Sequence, residues 1–170
     1  MKKKVLITLI SLCTILLAFN IVNVSAASSG KCGDNATWSY NNGVLTISGT
    51  GNMTDYTSMY QQPWSSYRSS ITDIIIGDGI EHIGKYAFQS CGGLYVDLEV
   101  TLGKNVKTVG YYAFYDTLPD IVHINDLSAY MNIEFSSSIS DIWLWGTEIY
   151  LNGTLIKDVV IPDTVTTLRE

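Results

Sequence analysis

Residues 74–94 read IIIGDGIEHIGKYAFQSCGGL, and residues 100–120 read VTLGKNVKTVGYYAFYDTLPD. A shift of 26 positions lays Ile74 on Val100, Ile76 on Leu102, Ile80 on Val106 and Ile83 on Val109. The same shift lays Gly84 on Gly110, Tyr86 on Tyr112, Ala87 on Ala113 and Phe88 on Phe114. Self-similarity at a fixed spacing of this size is the mark of a stacked architecture, a solenoid. A third start runs from Val159 to Leu168, with Val159, Ile161, Val165 and Leu168 on the pattern 85 residues after the first. The chain ends at Glu170, where the Gly-x-Tyr-Ala-Phe part would follow, so the last unit is expected to be cut short.

Each unit has a mechanical reading. Ile74 and Ile76 alternate with Ile75, as on a short strand with one buried and one open face. Gly77-Asp78-Gly79 and its copy Gly103-Lys104-Asn105 are turn clusters that reverse the chain. Ile80 and Ile83, three apart, face the interior from a turn-like or helical return. Gly84 marks a point where the backbone needs either positive φ or close approach. Ala87 leaves room and Phe88 fills it, as dense packing of facing layers requires. One unit cannot bury its apolar face alone, so neighbours must stack, with strands about 4.8 Å apart in a parallel ladder.

The run Ile74-x-Ile76-x-x-Gly79-Ile80-x-x-Ile83-Gly84-x-x-Ala87-Phe88-x-x-Cys91-x-x-Leu94 resembles one repeat of the BspA-like leucine-rich repeat family. The second copy follows it through Phe114 and then departs, with Thr117 in the place of Cys91 and Pro119-Asp120 in that of Gly93-Leu94. Val159 to Leu168 is similar to the opening of such a repeat. Cys32-Gly33-Asp34-Asn35-Ala36-Thr37-Trp38, followed by Leu45 to Gly51, is similar to the segment that often precedes the repeats. The resemblance implies an α/β solenoid, a leucine-rich-repeat-like stack of short parallel strands with turn or short-helix returns and an N-terminal β-hairpin cap. It also implies a secreted or cell-surface protein, mostly bacterial. It implies little about activity, because the family is defined by a scaffold and not by a site.

The N-terminus gives its own signal. Lys2-Lys3-Lys4 precedes an apolar run from Val5 to Phe19, and Val24-Ser25-Ala26 is a small-residue cleavage site. Residues 1–26 therefore read as a secretory signal peptide, cut after Ala26 or Ala27. The alternative, an uncleaved anchor helix, has a run on the short side of the ~20 residues that span a bilayer. Nothing after residue 27 reads as a membrane span. The chain carries 10 basic and 16 acidic side chains, and loss of the three leader lysines leaves a net charge of −9. That balance argues against nucleic acid, which needs clustered Lys and Arg, and against an anionic membrane surface.

The remaining segments fall into place around the repeats. Residues 27–69 read as a polar linker followed by the cap. Within it Thr37–Tyr40 and Val44–Ser48 form a hairpin across Asn41-Asn42-Gly43. Asp55 to Arg68 reads as a loop and a short helix starting near Pro63, its aromatics spaced for core contact rather than for a ligand platform. Residues 70–170 read as the solenoid, with an insertion at about 118–157. Inside that insertion Ile121–Ile124 is a strand, Asp126 caps two helical turns, and Glu148–Leu151 with Thr154–Ile156 is a second Asn-Gly hairpin. Trp143 and Trp145 alternate, as core of the insertion or as a protein- or sugar-contact patch.

Catalytic chemistry finds no constellation. His82 and His123 lie in different units without ligand spacing, so no metal site is expected. A Cys91–His82 pair is weaker than a plain interior thiol at the place Thr117 takes in the copy. Asp73 and Glu99, 26 apart, stack on adjacent strands without a cleft between them. No nucleophile elbow, phosphate loop or dinucleotide fingerprint is present. The expectation is a non-enzyme without cofactor. Cys32 and Cys91 are the cysteines left after leader cleavage, and a disulfide tying cap to first unit is one expectation in an oxidising compartment. Asn35, Asn52 and Asn152 are glycosylation acceptors only in a host that glycosylates.

What remains is a surface. Outward positions of successive strands line up, and by register that row is Asp73, Ile75, Glu99, Thr101 and Val160, with His123 beside them. The expected function is a secreted or surface-displayed recognition module, a monomer that binds an extracellular or host-surface protein, with carbohydrate as a second partner class. An accessory domain of a larger secreted enzyme and a structural stalk are the competing readings.

Overall fold

A computed structural model describes residues 28–93, 97–136 and 147–157. Residues 1–26, read above as a signal peptide, and Trp143, Trp145 and the run from Val159 to Leu168, read as a third repeat start, lie outside the described residues.

Two sheets carry the chain. The first begins with β1 (Ser28–Lys31), β2 (Ala36–Asn41) and β3 (Val44–Gly49), which pair antiparallel in sequence order. Then β5 (Asp73–Ile76) lies parallel to β3, followed by β7 (Glu99–Thr101), β9 (Ile121–Ile124) and β11 (Glu148–Leu151), each parallel to the one before. The sheet closes on β12 (Thr154–Leu155), antiparallel to β11. A second sheet is made of β4 (Gly51–Asn52), β6 (Ile80–Ile83), β8 (Thr108–Val109) and β10 (Glu134–Phe135), all parallel. From β3 to β10 the described strands thus alternate between the two sheets.

This corrects four expectations. The return after Gly77-Asp78-Gly79 is strand β6, not a helical turn. Ile80 and Ile83 are still both buried, with Glu81 exposed and His82 half-buried, and the register of β6 with β4 shifts between Ile80 and His82, which breaks the strict alternation. The fold is accordingly mostly strand rather than α/β. Its one described α-helix is α1 (Leu127–Met131), a single turn capped by Asp126 Oδ1, which accepts from Ala129 N at 2.9 Å. Residues 28–31 form an edge strand where a linker was expected, held by the register Ser28 to Tyr40 through Lys31 to Thr37. Residues near Pro63 form 3-10 turns, at Met59–Gln61 and Ser65–Ser70, in place of a helix.

The regular spacing lapses after Phe114, yet the stack does not. Leu45, Ile74, Val100, Val122 and Ile149 are register partners across five strands, and all five are buried. The hairpin between β2 and β3 turns at Asn42 and Gly43, both with positive φ, as a two-residue turn needs.

A third side closes each repeat without forming strands. Tyr86 N donates to Tyr111 O, Phe88 N to Ala113 O and Ser90 N to Tyr115 O, at 2.8–3.1 Å. Tyr86, Ser90, Tyr112 and Asp116 hold φ between 54° and 58°, so left-handed corners recur at the 26-residue spacing. Ala87 and Phe88 point inward, as do Ala113 and Phe114. Phe88 stacks on Phe114 with centroids 5.2 Å apart, and on Trp64 at 5.7 Å on its other side. Trp64 therefore fills, one layer earlier, the berth that the two phenylalanines fill. Gly84 has no positive φ. A Cβ there would run into the carbonyl oxygen of Thr54, and one at Gly110 would lie 2.6 Å from Lys85 N, so close approach is the reason for glycine.

Candidate functional site

The outward face of the first sheet follows from alternation. With Ile74 and Ile76 inside, Asp73 and Ile75 must point out, and parallel register repeats this at each strand. Asp73 faces Glu99, which faces Ile121, which faces Glu148. In the next row Thr46, Ile75, Thr101, His123 and Tyr150 are successive partners. The structure thus brings Asp73, Ile75, Glu99, Thr101 and His123 onto one surface. Ile75 is 38% exposed there.

Glu99 and His123 meet diagonally, with Nε2 to Oε2 at 3.0 Å. His123 also lies against the Tyr150 ring, at 5.5 Å between centroids, and Tyr150 donates to Glu148 Oε2 at 3.2 Å. That bond to a carboxylate raises the Tyr150 phenol above its usual range. Asp73 accepts from Thr72 Oγ1 at 2.6 Å. Sequence reasoning missed Glu148 and Tyr150, because the irregular spacing after Phe114 hid which residues align with His123.

The turns and loops around the second sheet have a different electrostatic plan. Lys104 pairs with Asp78 at 3.7 Å and Lys107 with Glu81 at 2.6 Å, each exactly one repeat apart in sequence. Asp55 receives Lys85 Nζ at 2.8 Å, the Lys85 backbone amide at 2.8 Å and His82 Nε2 at 3.2 Å. Partial burial alone would raise the Asp55 carboxyl. The hydrogen bonds from Lys85 and His82, with the Lys85 charge, outweigh it and bring the group to about 2. His82 Nδ1 also lies 2.7 Å from Thr108 Oγ1, so this histidine is a cross-repeat tie. Among the described residues, Asp73, Glu99 and Glu148 have no lysine or arginine partner.

Cys32 and Cys91 are both buried and both free, which corrects the disulfide expectation. Their surroundings differ: Cys32 lies by Tyr56, and Cys91 by Trp64 and Arg68 with its amide on Thr117 Oγ1 at 3.2 Å. Burial pushes each thiol up to about 12, so neither is a nucleophile at neutral pH. Among the described residues no group of three or more His, Cys, Asp and Glu is placed to hold a metal ion. Two depressions, beside Ile149 and Ile156 and beside Lys107 and Glu134, bring together no nucleophile, base and oxyanion donor. No helix among the described residues is long and apolar enough to cross a membrane.

Comparison with known proteins agrees with this geometry. The BspA type leucine-rich repeat region, in six copies, matches residues 64–170. A search of curated proteins finds no match. A crystal structure of a leucine-rich repeat protein from Eubacterium ventriosum is similar, at 27% identity and a TM-score of 0.59 over 76% of this chain. The match spans 33% of the length of that protein. Proteins with BspA-type repeats are typically bacterial surface or secreted proteins, and such repeats are generally non-catalytic interaction modules. With five register-matched strands and a match over more than half its length, the chain belongs to the BspA-type leucine-rich repeat family.

Proposed function

We propose that the chain is a secreted or cell-surface recognition module whose repeats stack as a solenoid behind a cap made of β1 and β2. It binds an extracellular protein through the outward face of the first sheet, in an adhesion-type role. One observation carries the reading. Asp73 and Glu99 are adjacent on neighbouring strands, where like charges destabilise a sheet. The turns after β5 and β7 and the start of the return instead pair their charges, Asp78 with Lys104 and Glu81 with Lys107, across the same spacing. A face that keeps acids with no lysine or arginine partner among the described residues beside an exposed isoleucine, Ile75, is shaped for contact and not for stability. Such a partner carries basic side chains opposite Asp73, Glu99 and Glu148, so association is fast at low salt and slows as salt screens it.

Immobilised extracellular-matrix proteins, probed with the purified chain by surface plasmon resonance, test this. Binding that saturates, and weakens about tenfold or more in Ile75→Ser with Glu99→Gln, is the expected result. Saturable binding untouched by both substitutions would move the site elsewhere. A second reading, an accessory repeat domain of a larger secreted enzyme, draws on the match spanning a third of the similar solved protein. Coding sequence past Glu170 that runs into catalytic motifs would favour it.

A further inference from the structure

The third side of the stack carries a surface that the sheet-face reading does not use. The two repeats agree at their scaffold positions, Gly84/Gly110, Tyr86/Tyr112, Ala87/Ala113 and Phe88/Phe114. They disagree at the solvent positions between them. Lys85, Gln89 and Gly92 of the first repeat become Tyr111, Tyr115 and Leu118 in the second. These three are 37%, 45% and 67% exposed. Packing cannot require the change, since the first repeat builds the same corner with polar residues or none. Solvent-facing aromatic residues that the fold does not need mark a contact surface.

The geometry narrows the occupant. Tyr111 lies against Tyr112 at 3.9 Å and against Tyr86 at 6.2 Å, and Tyr112 against Tyr115 at 4.8 Å. Their planes are inclined by 53° to 76°, so the rings form a ridged surface and not the flat shelf on which a sugar ring rests. Ring faces are electronegative and attract cations, guanidinium above all. The exposed Asp116 adds a carboxylate at the edge of the cluster, bridged to Ser90 Oγ at 3.2 Å. Lys85, which occupies the place of Tyr111 one repeat earlier, is already held by Asp55 at 2.8 Å. The chain shows the same chemistry internally, with the Arg68 guanidinium carbon 5.2 Å from the centre of the exposed Tyr60 ring. We propose that Tyr111, Tyr115 and Leu118, backed by Tyr86 and Tyr112, form a second docking surface for an arginine-bearing segment of a protein partner.

The purified chain is titrated against a fluorescent nine-residue peptide of alternating arginine and glycine, its lysine counterpart, and cellohexaose as a neutral saccharide. The arginine peptide is expected to bind tightest of the three. Tyr115→Gln together with Tyr111→Gln should weaken it about tenfold, with the thermal midpoint within about 2 °C of the parent. Glutamine at 115 copies Gln89 of the sister repeat, so folding is not at stake, and neither change alters charge. Asp73→Asn with Glu99→Gln separates this surface from the sheet face and should leave most of the peptide affinity in place. The proposal is overturned if cellohexaose binds in preference, or if the tyrosine variant binds the arginine peptide like the parent. Loss of peptide binding only in the Asp73/Glu99 variant overturns it too.

Discussion

Replacing Phe88 by alanine tests the stacking more directly than any other change. Phe88 is fully buried, with Trp64 stacked on one face and Phe114 on the other, at 5.7 and 5.2 Å. Burying and then deleting a phenylalanine ring costs about 3–5 kcal/mol, and the value rises as the site resists collapse. Collapse is hindered here. Trp64 Nε1 is fixed on Ala87 O at 3.1 Å, and Phe88 N is tied to Ala113 O at 2.8 Å, so neither neighbour is free to slide into the gap. The expected cost is therefore in the upper half of that range, about 4–5 kcal/mol, out of the ~5–15 kcal/mol a domain has in total. The milder Phe88→Leu keeps most of the volume and loses two ring contacts, for about 1–3 kcal/mol.

The assay is urea unfolding followed by tryptophan fluorescence, to which Trp64 contributes as one of four tryptophans. A double-mutant cycle between Phe88→Leu and Phe114→Leu isolates the ring–ring term, expected at about 0.5–1.5 kcal/mol. A coupling below about 0.3 kcal/mol would mean that the two rings do not act as layers of one column. A cost under about 2 kcal/mol for Phe88→Ala would refute the claim that the column is a rigid core.

Three further outcomes follow from named contacts. Gly84→Ala should cost more than Gly51→Ala, because the first drives a methyl into Thr54 O, whereas the second meets nothing within 4 Å and bears only the ~1–2 kcal/mol of a left-handed backbone; the same urea titration ranks them. Cys32 and Cys91 have thiols raised from 9.0 to about 12 by burial, so the stability their neutral forms contribute is complete below about pH 9 and drains away towards pH 12; native chain should resist a thiol reagent at pH 8 and react only on unfolding. Asp55, lowered from 3.8 to about 2, contributes stability present above about pH 4 and lost as pH falls towards 2. Its exposure keeps the effect under about 1 kcal/mol, and Asp55→Asn should flatten the acid limb of a thermal-midpoint profile.

The sequence disclosed the inside of this molecule better than its outside. Ile74, Ile76, Ala87 and Phe88 announce their burial because each is repeated at 26 residues, and a stack punishes any layer that differs. The return strand β6 was not legible. Two isoleucines three apart fit a helical turn as well as a kinked strand, and four residues are too few for periodicity to choose. The left-handed corners at Tyr86 and Tyr112 were hidden for another reason. Such φ values are read from glycine or asparagine, and here the backbone ladder to the next repeat holds tyrosines in them. Register across the spacing of Glu99, His123 and Tyr150 needed coordinates, since a one-residue error turns every side chain to the other face. The outward row Asp73, Ile75, Glu99 and Thr101 was readable because that step keeps the 26-residue length of the repeat, whereas the next step, from Thr101 to His123, is shorter.

The two sheets of the same stack solve the charge problem in opposite ways, and this bears on what the first face is for. A parallel stack places each outward residue beside its equivalent one repeat on, so a repeated acid would face itself at every step. The turns and strand starts leading into the second sheet avoid this by alternating sign, Asp78 with Lys104 in the turns and Glu81 on β6 with Lys107 just before β8. The first sheet sets Asp73 against Glu99 and leaves only His123, on the far side of Glu99, as a partner. If stability alone governed this face, Asp73 would be the residue to change. Asp73→Thr removes the like-charge neighbour, breaks no ion pair, and puts a strand-favouring side chain in a strand. It should therefore stabilise the chain by about 0.2–1 kcal/mol at low salt, and less as salt screens the repulsion. The same substitution should weaken binding to a basic partner, the usual exchange between stability and function. A variant that is less stable than the parent, or one that gains stability and binds as before, would show that the acids on this face are not held there by a partner.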